Sequence, residues 1–367
     1  GGNPRPANQV PPMIDVSSGI GGGAELDLLE IRYYELDDVV DYFVVAESSY
    51  NFRGDRKPRL FKKNEKRFAR WKNRTTYLDL DKCAPYKDAV MQFRALPPEK
   101  RPSSVWALQW TQRNCIWKLL IERKAKHGEK IPDETLVVHT DLDEIPSREA
   151  MWALRNCEWH ESDGTVEDLV QLHLLPVLYN LRKLYDGTLP ADTWIQGTVR
   201  RWKMIAKYTD DLAQGKVSSK KPLACLRCAN ARPMRRAGVH LTATTNLASL
   251  LYKGIQHGEG GHVPHPPLAV HGPRESFCKI NSVKNVETAS KVLQDHPGFW
   301  FDPVNRGSPA SKEAPRPEWL ERCLVPWVVI QNPDRYSFIW GRGNLSALPL
   351  IRPGSVSLAA KAANGTA

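Results

Sequence analysis

The sequence predicts an α/β fold, an open and mostly parallel twisted sheet with helices on both faces, followed by a mixed β region in the C-terminal half. Three observations carry this expectation. The chain has 367 residues of which 41% are apolar, enough for one large α/β domain or two smaller ones and too apolar for disorder throughout. Strand-like and helix-like segments alternate over residues 13 to 155, the pattern of strands joined by crossover helices. From Val166 to Met204 the pattern turns strand-like, with "VEDLVQLHLLPVLYNLRKLY" and "TWIQGTVRRWKMI" rich in aromatic and β-branched residues.

Taken in order, the Gly/Pro-rich start reads as a flexible stem leading into a short strand at Met13 to Val16. "AELDLLEIRYYELDD" is a helix: Leu29, Tyr33 and Leu36 share helical spacing, and Glu25, Asp27 and Glu30 lie in the first turns, where the helix dipole favours acids. Glu35, Asp37 and Asp38 read as its solvated end. "VVDYFVVAES" is a strand, then come a helix around Asn64 to Trp71, a strand at Thr75 to Leu80 and a long helix from about Ser104 to Lys126. In that helix Trp106, Trp110, Trp117 and Leu120 are 4, 7 and 3 residues apart and mark one apolar stripe, which Arg113 completes. A guanidinium on a buried stripe needs an anion. A core carboxylate or a ligand phosphate or base would serve. "ETLVVHTD" is the next strand, and "SREAMWAL" a helix with Ser147 as N-cap. "AGVHLTAT" (Ala237 to Thr244) reads as a strand and "TNLASLLYKGIQ" as a helix. Gly, Pro and His-rich loops fill Gly258 to Arg274, another loop spans Asp302 to Glu318, and the last residues read as a tail.

Fifty-two Lys and Arg against 41 Asp and Glu give a net charge of +11, compatible with anionic partners. No zinc-finger, RNA-recognition or basic-zipper pattern accompanies the basic residues, so no nucleic-acid partner is expected. No window approaches the ~18 consecutive apolar residues of a membrane span, and the start lacks a leader pattern. The chain also begins without Met, so an upstream anchor or leader is compatible with it. Seven cysteines leave at least one thiol free or paired outside the chain, and "CLRC" at Cys225 to Cys228 reads as a local disulfide or two unrelated thiols. The sequons at Asn73, Asn344 and Asn364 lean towards a secretory-pathway lumen.

The densest chemistry lies in "TLVVHTDLDEIPSRE", Thr135 to Glu149. If the strand continues through Asp143, side chains alternate, so Asp141 and Asp143 share a face while Leu142 points into the core. Two like charges ~6 Å apart repel by roughly 2–3 kcal/mol at an effective dielectric of about 20, and by less than about 1 kcal/mol when fully wet. A divalent ion such as Mg²⁺ or Mn²⁺ removes that cost and binds through one or two carboxylates plus substrate phosphates. The bland alternative is a pair of solvated turn acids. A calcium loop is excluded because Pro146 stands where that loop requires Gly. A haloacid-dehalogenase-like phosphatase would carry its D-x-D near the domain start, with a Thr following, whereas Ile145-Pro146 follows here at mid-chain. The D-x-D of a nucleotide-sugar glycosyltransferase, whose metal bridges an aspartate and the donor diphosphate, fits the position best.

Two blocks, Glu25 to Phe68 and "DLDEIPSRE" (Asp141 to Glu149), closely resemble glycosyltransferase family 17. Weaker similarity runs through "QRNCI", "AGVH", "GFWFD" and "VPWVVIQNPDRYSFI". The resemblance implies a GT-A-like fold, UDP-GlcNAc as donor, Mn²⁺ or Mg²⁺, and an inverting β-1,4 transfer of N-acetylglucosamine to the core mannose of a glycoprotein N-glycan acceptor. It implies a Golgi-lumenal, type II membrane protein whose anchor precedes this chain. Residues 1–23 would then be stem and first strand, 13–155 the nucleotide-sugar-binding half, 156–350 the acceptor-binding half of the same domain and 351–367 a tail. Carried over, Asp141 and Asp143 match the D-x-D, and Glu144 is the acid that follows it. Glu47 and Ser48 match the acid and serine closing the second strand, near a uridine. Arg113 matches the "QRN" helix as a donor contact. His240 matches the histidine of the family's "GWH" and is either a metal ligand or a core histidine. Val239 stands where that motif has Trp, and the Gly258 to His271 loop has no counterpart, departures that leave open an acceptor other than the family's best-known one. Inversion needs a base, for which Glu144, Glu259 and Asp302 are candidates.

Overall fold

The computed structural model describes residues 3–20, 23–52, 54–97, 106–159, 168–178, 194–217, 232–235, 237–242, 326–332 and 335–336. Its frame is a nine-stranded mixed sheet. Strands β2 (Met13–Ser18), β3 (Tyr42–Glu47), β4 (Thr75–Asp79) and β5 (Leu136–His139) are parallel and stand in the order β4-β3-β2-β5. Both faces of β2, β3 and β5 are covered, which is why their sequences are nearly continuous apolar runs.

The cover comes in two layers. Helix α1 (Gly23–Leu36) packs on one face: Leu29, Tyr33 and Leu36 join Met13, Phe43, Phe68 and Trp71 in one core. On the other face lie α3 (Ala84–Ala95) and α4 (Trp106–Lys126), where Tyr86, Val90, Trp117 and Leu120 meet Ile14, Val16 and Val137. The chain leaves β2 towards β3 and returns to β5 on β2's other side. The crevice outside the carboxyl ends of β2 and β5 is therefore the switch point where such sheets bind ligands.

Beyond β5 the sheet becomes mixed, as its aromatic and β-branched sequence implies. β9 (Trp194–Arg201) pairs antiparallel with both β5 and β8 (Leu169–Leu178), and β11 (Gly238–Thr242) runs parallel to β8 and antiparallel to β6 (Glu144–Pro146). Between β8 and β11 in sequence, β10 (Arg232–Met234) also pairs with β8. Helix α5 (Arg148–Asn156) follows β6 with Ser147 as its N-cap, the Oγ accepting from the Ala150 amide at 3.2 Å.

Several segments differ from the sequence expectation. The start is not a free stem: β1 (Asn3–Pro4) pairs with β7 (Cys157–Glu158), and Arg5 donates to the Cys157 carbonyl. The helix expected around Asn64 is a four-residue helix, α2 (Leu60–Lys63), followed by a 3-10 stretch (Glu65–Arg74) that kinks at Phe68. α3 has no counterpart in that reading. The strand-like run ending "RRWKMI" turns at Trp202 into α6 (Trp202–Ala213). Trp202 and Ile205 bury themselves against the α4 layer. The "CLRC" pair, the helix after Thr244, the Gly258 loop and the two C-terminal sequons lie outside the described residues.

Candidate functional site

β5 ends at His139, so the D-x-D does not continue the strand. Strand alternation therefore does not orient its acids; a tight turn does. The Glu144 amide donates to the Asp141 carbonyl at 3.0 Å. Leu142, 4% exposed, anchors the turn in the core and leaves the two aspartates at the rim. The Asp141 amide donates to Glu144 Oε2 at 2.8 Å and Thr140 Oγ1 to the Glu144 carbonyl at 2.9 Å. Gly197 in β9 makes room for this: a Cβ there would stand 2.7 Å from Thr140 Cγ2.

Arg113 finds its anion in this turn. Its Nη2 lies 2.5 Å from Asp141 Oδ1, with the guanidinium almost wholly buried in α4 and the carboxylate partly open to solvent. The buried stripe thus delivers its charge to the rim rather than to a carboxylate inside the core.

Asp143 meets His240. The register of β11 on β6 sets Gly238 against Pro146, Val239 against Ile145 and His240 against Glu144. The Leu241 amide then donates to the Asp143 carbonyl at 2.8 Å, and His240 Nε2 comes within 3.6 Å of Asp143 Oδ1. Gly238 is required for that approach. At φ +147° it occupies a conformation side chains rarely adopt, and a Cβ would sit 2.2 Å from the Ile145 carbonyl oxygen.

Glu144 is fully buried, and the bond from the Asp141 amide makes its carboxylate a brace inside the turn. Glu47 and Ser48 belong to a second cluster. Glu47 is 1% exposed and caps α2, accepting from the Phe61 and Lys62 amides at 3.0 and 3.3 Å. Burial raises its carboxyl above the usual range, against the opposing pull of Lys57 and those amides. Ser48 Oγ donates to Asp81 Oδ1 at 2.9 Å, beside Arg59, which pairs with Asp79 and Asp81. Asp141, Asp143, Glu144, Arg113 and His240 therefore come together, while Glu47 spends these bonds on α2 and Ser48 on Asp81 beyond β4. Glu259 and Asp302 lie outside the described residues.

Asp143 and His240 could each give one ligand to a divalent cation. A carboxylate oxygen and an imidazole nitrogen 3.6 Å apart match two ligands each about 2 Å from one ion. Among the described residues no group of three His, Cys, Asp or Glu could hold a metal. A cation at this pair would complete its shell with phosphate and water, the usual habit of Mg²⁺.

The sequence profile of glycosyltransferase family 17 matches residues 16–231, more than half of the chain. The chain belongs to glycosyltransferase family 17. Proteins named β-1,4-mannosyl-glycoprotein 4-β-N-acetylglucosaminyltransferase from Homo sapiens, Rattus norvegicus and Mus musculus are each 26% identical to it over 176 residues. The match covers 47% of this chain and only 28% of each relative's length. In this family 17 chain the profile takes in Arg113 and the D-x-D turn and stops before Gly238 and His240. Strand pairing, not sequence proximity, unites the two parts of the site.

Sequence reasoning missed Asp15, Arg32, Thr140, Gly197 and Gly238. Two of them left a visible signal: Asp15 is an acid inside an apolar strand, and Arg32 is a cation among Leu28, Leu29, Ile31 and Tyr33. Both are fully buried.

Proposed function

We propose that this chain transfers N-acetylglucosamine from UDP-GlcNAc, with inversion and in β-1,4 linkage, to the core mannose of a glycoprotein N-glycan. The observation that carries this is the convergence of Asp143 and His240 beside the Arg113–Asp141 pair, at the switch point of a family 17 sheet. The names of the relatives support the sugar and the mannose acceptor.

Asp143 and His240 would hold a Mn²⁺ or Mg²⁺ ion, which when bound neutralises the charge that builds on the departing diphosphate. The residues of the chain supply position. Arg113 holds Asp141 Oδ1 and brings a guanidinium charge to the rim of the crevice, where it favours a bound diphosphate. Asp141, fixed by that pair and by the hydrogen bond its amide donates to the Glu144 carboxylate, keeps a partly exposed carboxylate for a donor hydroxyl. Glu144 stays in the turn and moves no proton. Inversion requires one displacement at the anomeric carbon, with the acceptor hydroxyl's proton taken by a base.

The buried disulfide Cys83–Cys115 supports folding in an oxidising compartment, in keeping with the Golgi lumen. No helix among the described residues is long and apolar enough to cross a membrane. Incubation with a panel of UDP-sugars, Mn²⁺ and a biantennary N-glycan tests the proposal. Mass gain of one N-acetylglucosamine on the glycan, from UDP-GlcNAc alone, is the expected result. Transfer of another sugar, or release of phosphate without transfer, would contradict it.

A further inference from the structure

Beneath the D-x-D turn lies an ion pair for which the chemistry above has no use. Asp15 stands on β2 in the same row as Met13, facing the α1 layer, and Arg32 reaches it from α1. Both side chains are 0% exposed. Arg32 Nε donates to Asp15 Oδ2 at 2.8 Å and Nη2 to Oδ1 at 2.5 Å, a two-point fork that fixes the plane of the guanidinium. The remaining nitrogen does something a simple helix-to-strand tie would not require. Nη1 donates to the Asp141 carbonyl at 3.1 Å and to the Glu144 carbonyl at 2.7 Å.

A buried ion pair is weak evidence for stability, because well-packed apolar residues of similar volume serve as well or better. Apolar residues cannot donate to two inward-pointing carbonyls, however, and these two are the first and last of the turn. With the Leu241 amide on the Asp143 carbonyl, each of the three acids in the turn has its carbonyl oxygen bound by a donor from another element. The carboxylates at the rim inherit their direction from carbonyls held in the core.

We propose that Asp15 and Arg32 form a positioning pair: Asp15 orients the guanidinium, and Arg32 locks the D-x-D turn in the form that presents Asp143 to a cation and Asp141 to a donor hydroxyl. Neither side chain touches substrate. The inference rests on the metal-dependent transfer proposed above.

The test uses the full chain with Asp15→Asn and Arg32→Met combined, and separately Arg32→Lys. Removing both charges leaves neither buried alone, so the double variant keeps its circular dichroism, with a melting temperature lowered by the loss of the donor to the two carbonyls. Mn²⁺ affinity, measured by calorimetry in the presence of UDP, is expected to fall about 10–100-fold, the usual effect of losing a support behind a metal ligand. Arg32→Lys keeps the pair with Asp15 but offers a single ammonium for two carbonyls, so its Mn²⁺ affinity lies between the two. A folded double variant with parental Mn²⁺ affinity would overturn the proposal. If the double variant does not fold, a folded Arg32→Lys protein with parental Mn²⁺ affinity overturns it equally. A parent that binds no Mn²⁺ with UDP signals instead the failure of the metal-dependent reading, and the positioning role falls with it.

Discussion

At Gly238 the chain forgoes a side chain so that β11 can close on β6, and the contact between His240 and Asp143 depends on that omission. Gly238→Ala forces a Cβ into the Ile145 carbonyl and imposes a backbone conformation unsuited to Ala. It should cost on the order of 3 kcal/mol or more and weaken Mn²⁺ binding, read by thermal melting and metal titration; an unchanged protein would mean that the two strands have slack. Arg113 poses a different question, since its partner Asp141 is partly exposed and survives alone at modest cost. Arg113→Ala should therefore lower UDP affinity by roughly 1.5–3 kcal/mol, the worth of a charge-assisted hydrogen bond, with a small change in melting temperature. Calorimetry with UDP decides. Loss of stability with full UDP affinity would make Arg113 a structural partner only. Asp141, Asp143 and Arg113 were legible because charge on an apolar stripe or at a strand end demands an explanation, while His240 stood out only through the resemblance to the family's "GWH". Gly238 and Gly197 were not, because a close approach of two strands is written in the tertiary structure and leaves no local pattern.

At the scale of elements, two ties hold the layers to the sheet. The disulfide joins Cys83, which precedes α3, to Cys115, two residues beyond Arg113 on α4. Its loss should cost roughly 2–4 kcal/mol, so the melting temperature in reductant should fall, and with it the positioning of Arg113. An unchanged midpoint with both thiols demonstrably reduced would contradict this. Cys157 is a free thiol, and the other four cysteines lie outside the described residues. The second tie is Glu35 at the end of α1, read from sequence as solvated but 5% exposed. It accepts from the Arg148 amide at 3.0 Å and the Trp327 amide at 3.1 Å, clasping α5 and the short helix Trp327–Gln331. Burial pushes its pKa up to about 7, helped by Glu149 and opposed by those amides and the Arg148 charge. A carboxyl raised in the folded state keeps its proton where the unfolded chain has lost it. Between about pH 4.5 and 7 this group's contribution therefore declines as pH rises, by roughly 3 kcal/mol in all. Carboxyl NMR should show Glu35 titrating near pH 7; an ordinary glutamate value would contradict its burial. The tie was illegible because a partner nearly three hundred residues away has no imprint on the helix's own periodicity. α3 escaped for a related reason: only Tyr86 and Val90 on it are buried, too narrow a stripe to stand out.

At the scale of the molecule, the parallel character of the first strands and the later mixed strands follow from features visible in the sequence, namely apolar runs alternating with helical spacing and then a β-rich stretch, whereas the order β4-β3-β2-β5 does not. What the sequence could not convey is that the second β region extends the same sheet and returns β11 to the turn that closes β5. That return is why the site needs both halves. The GT-A-like architecture brings Asp143 and His240 together at the switch point, and the chemistry proposed for the chain depends on that pair. The most direct test is transfer from UDP-GlcNAc to a biantennary glycan, with Mn²⁺, with EDTA, and with Asp143→Ala protein whose fold is verified by circular dichroism. Transfer with Mn²⁺ that vanishes in EDTA and in the Asp143→Ala variant is the expected result; transfer that persists undiminished under either condition would contradict it.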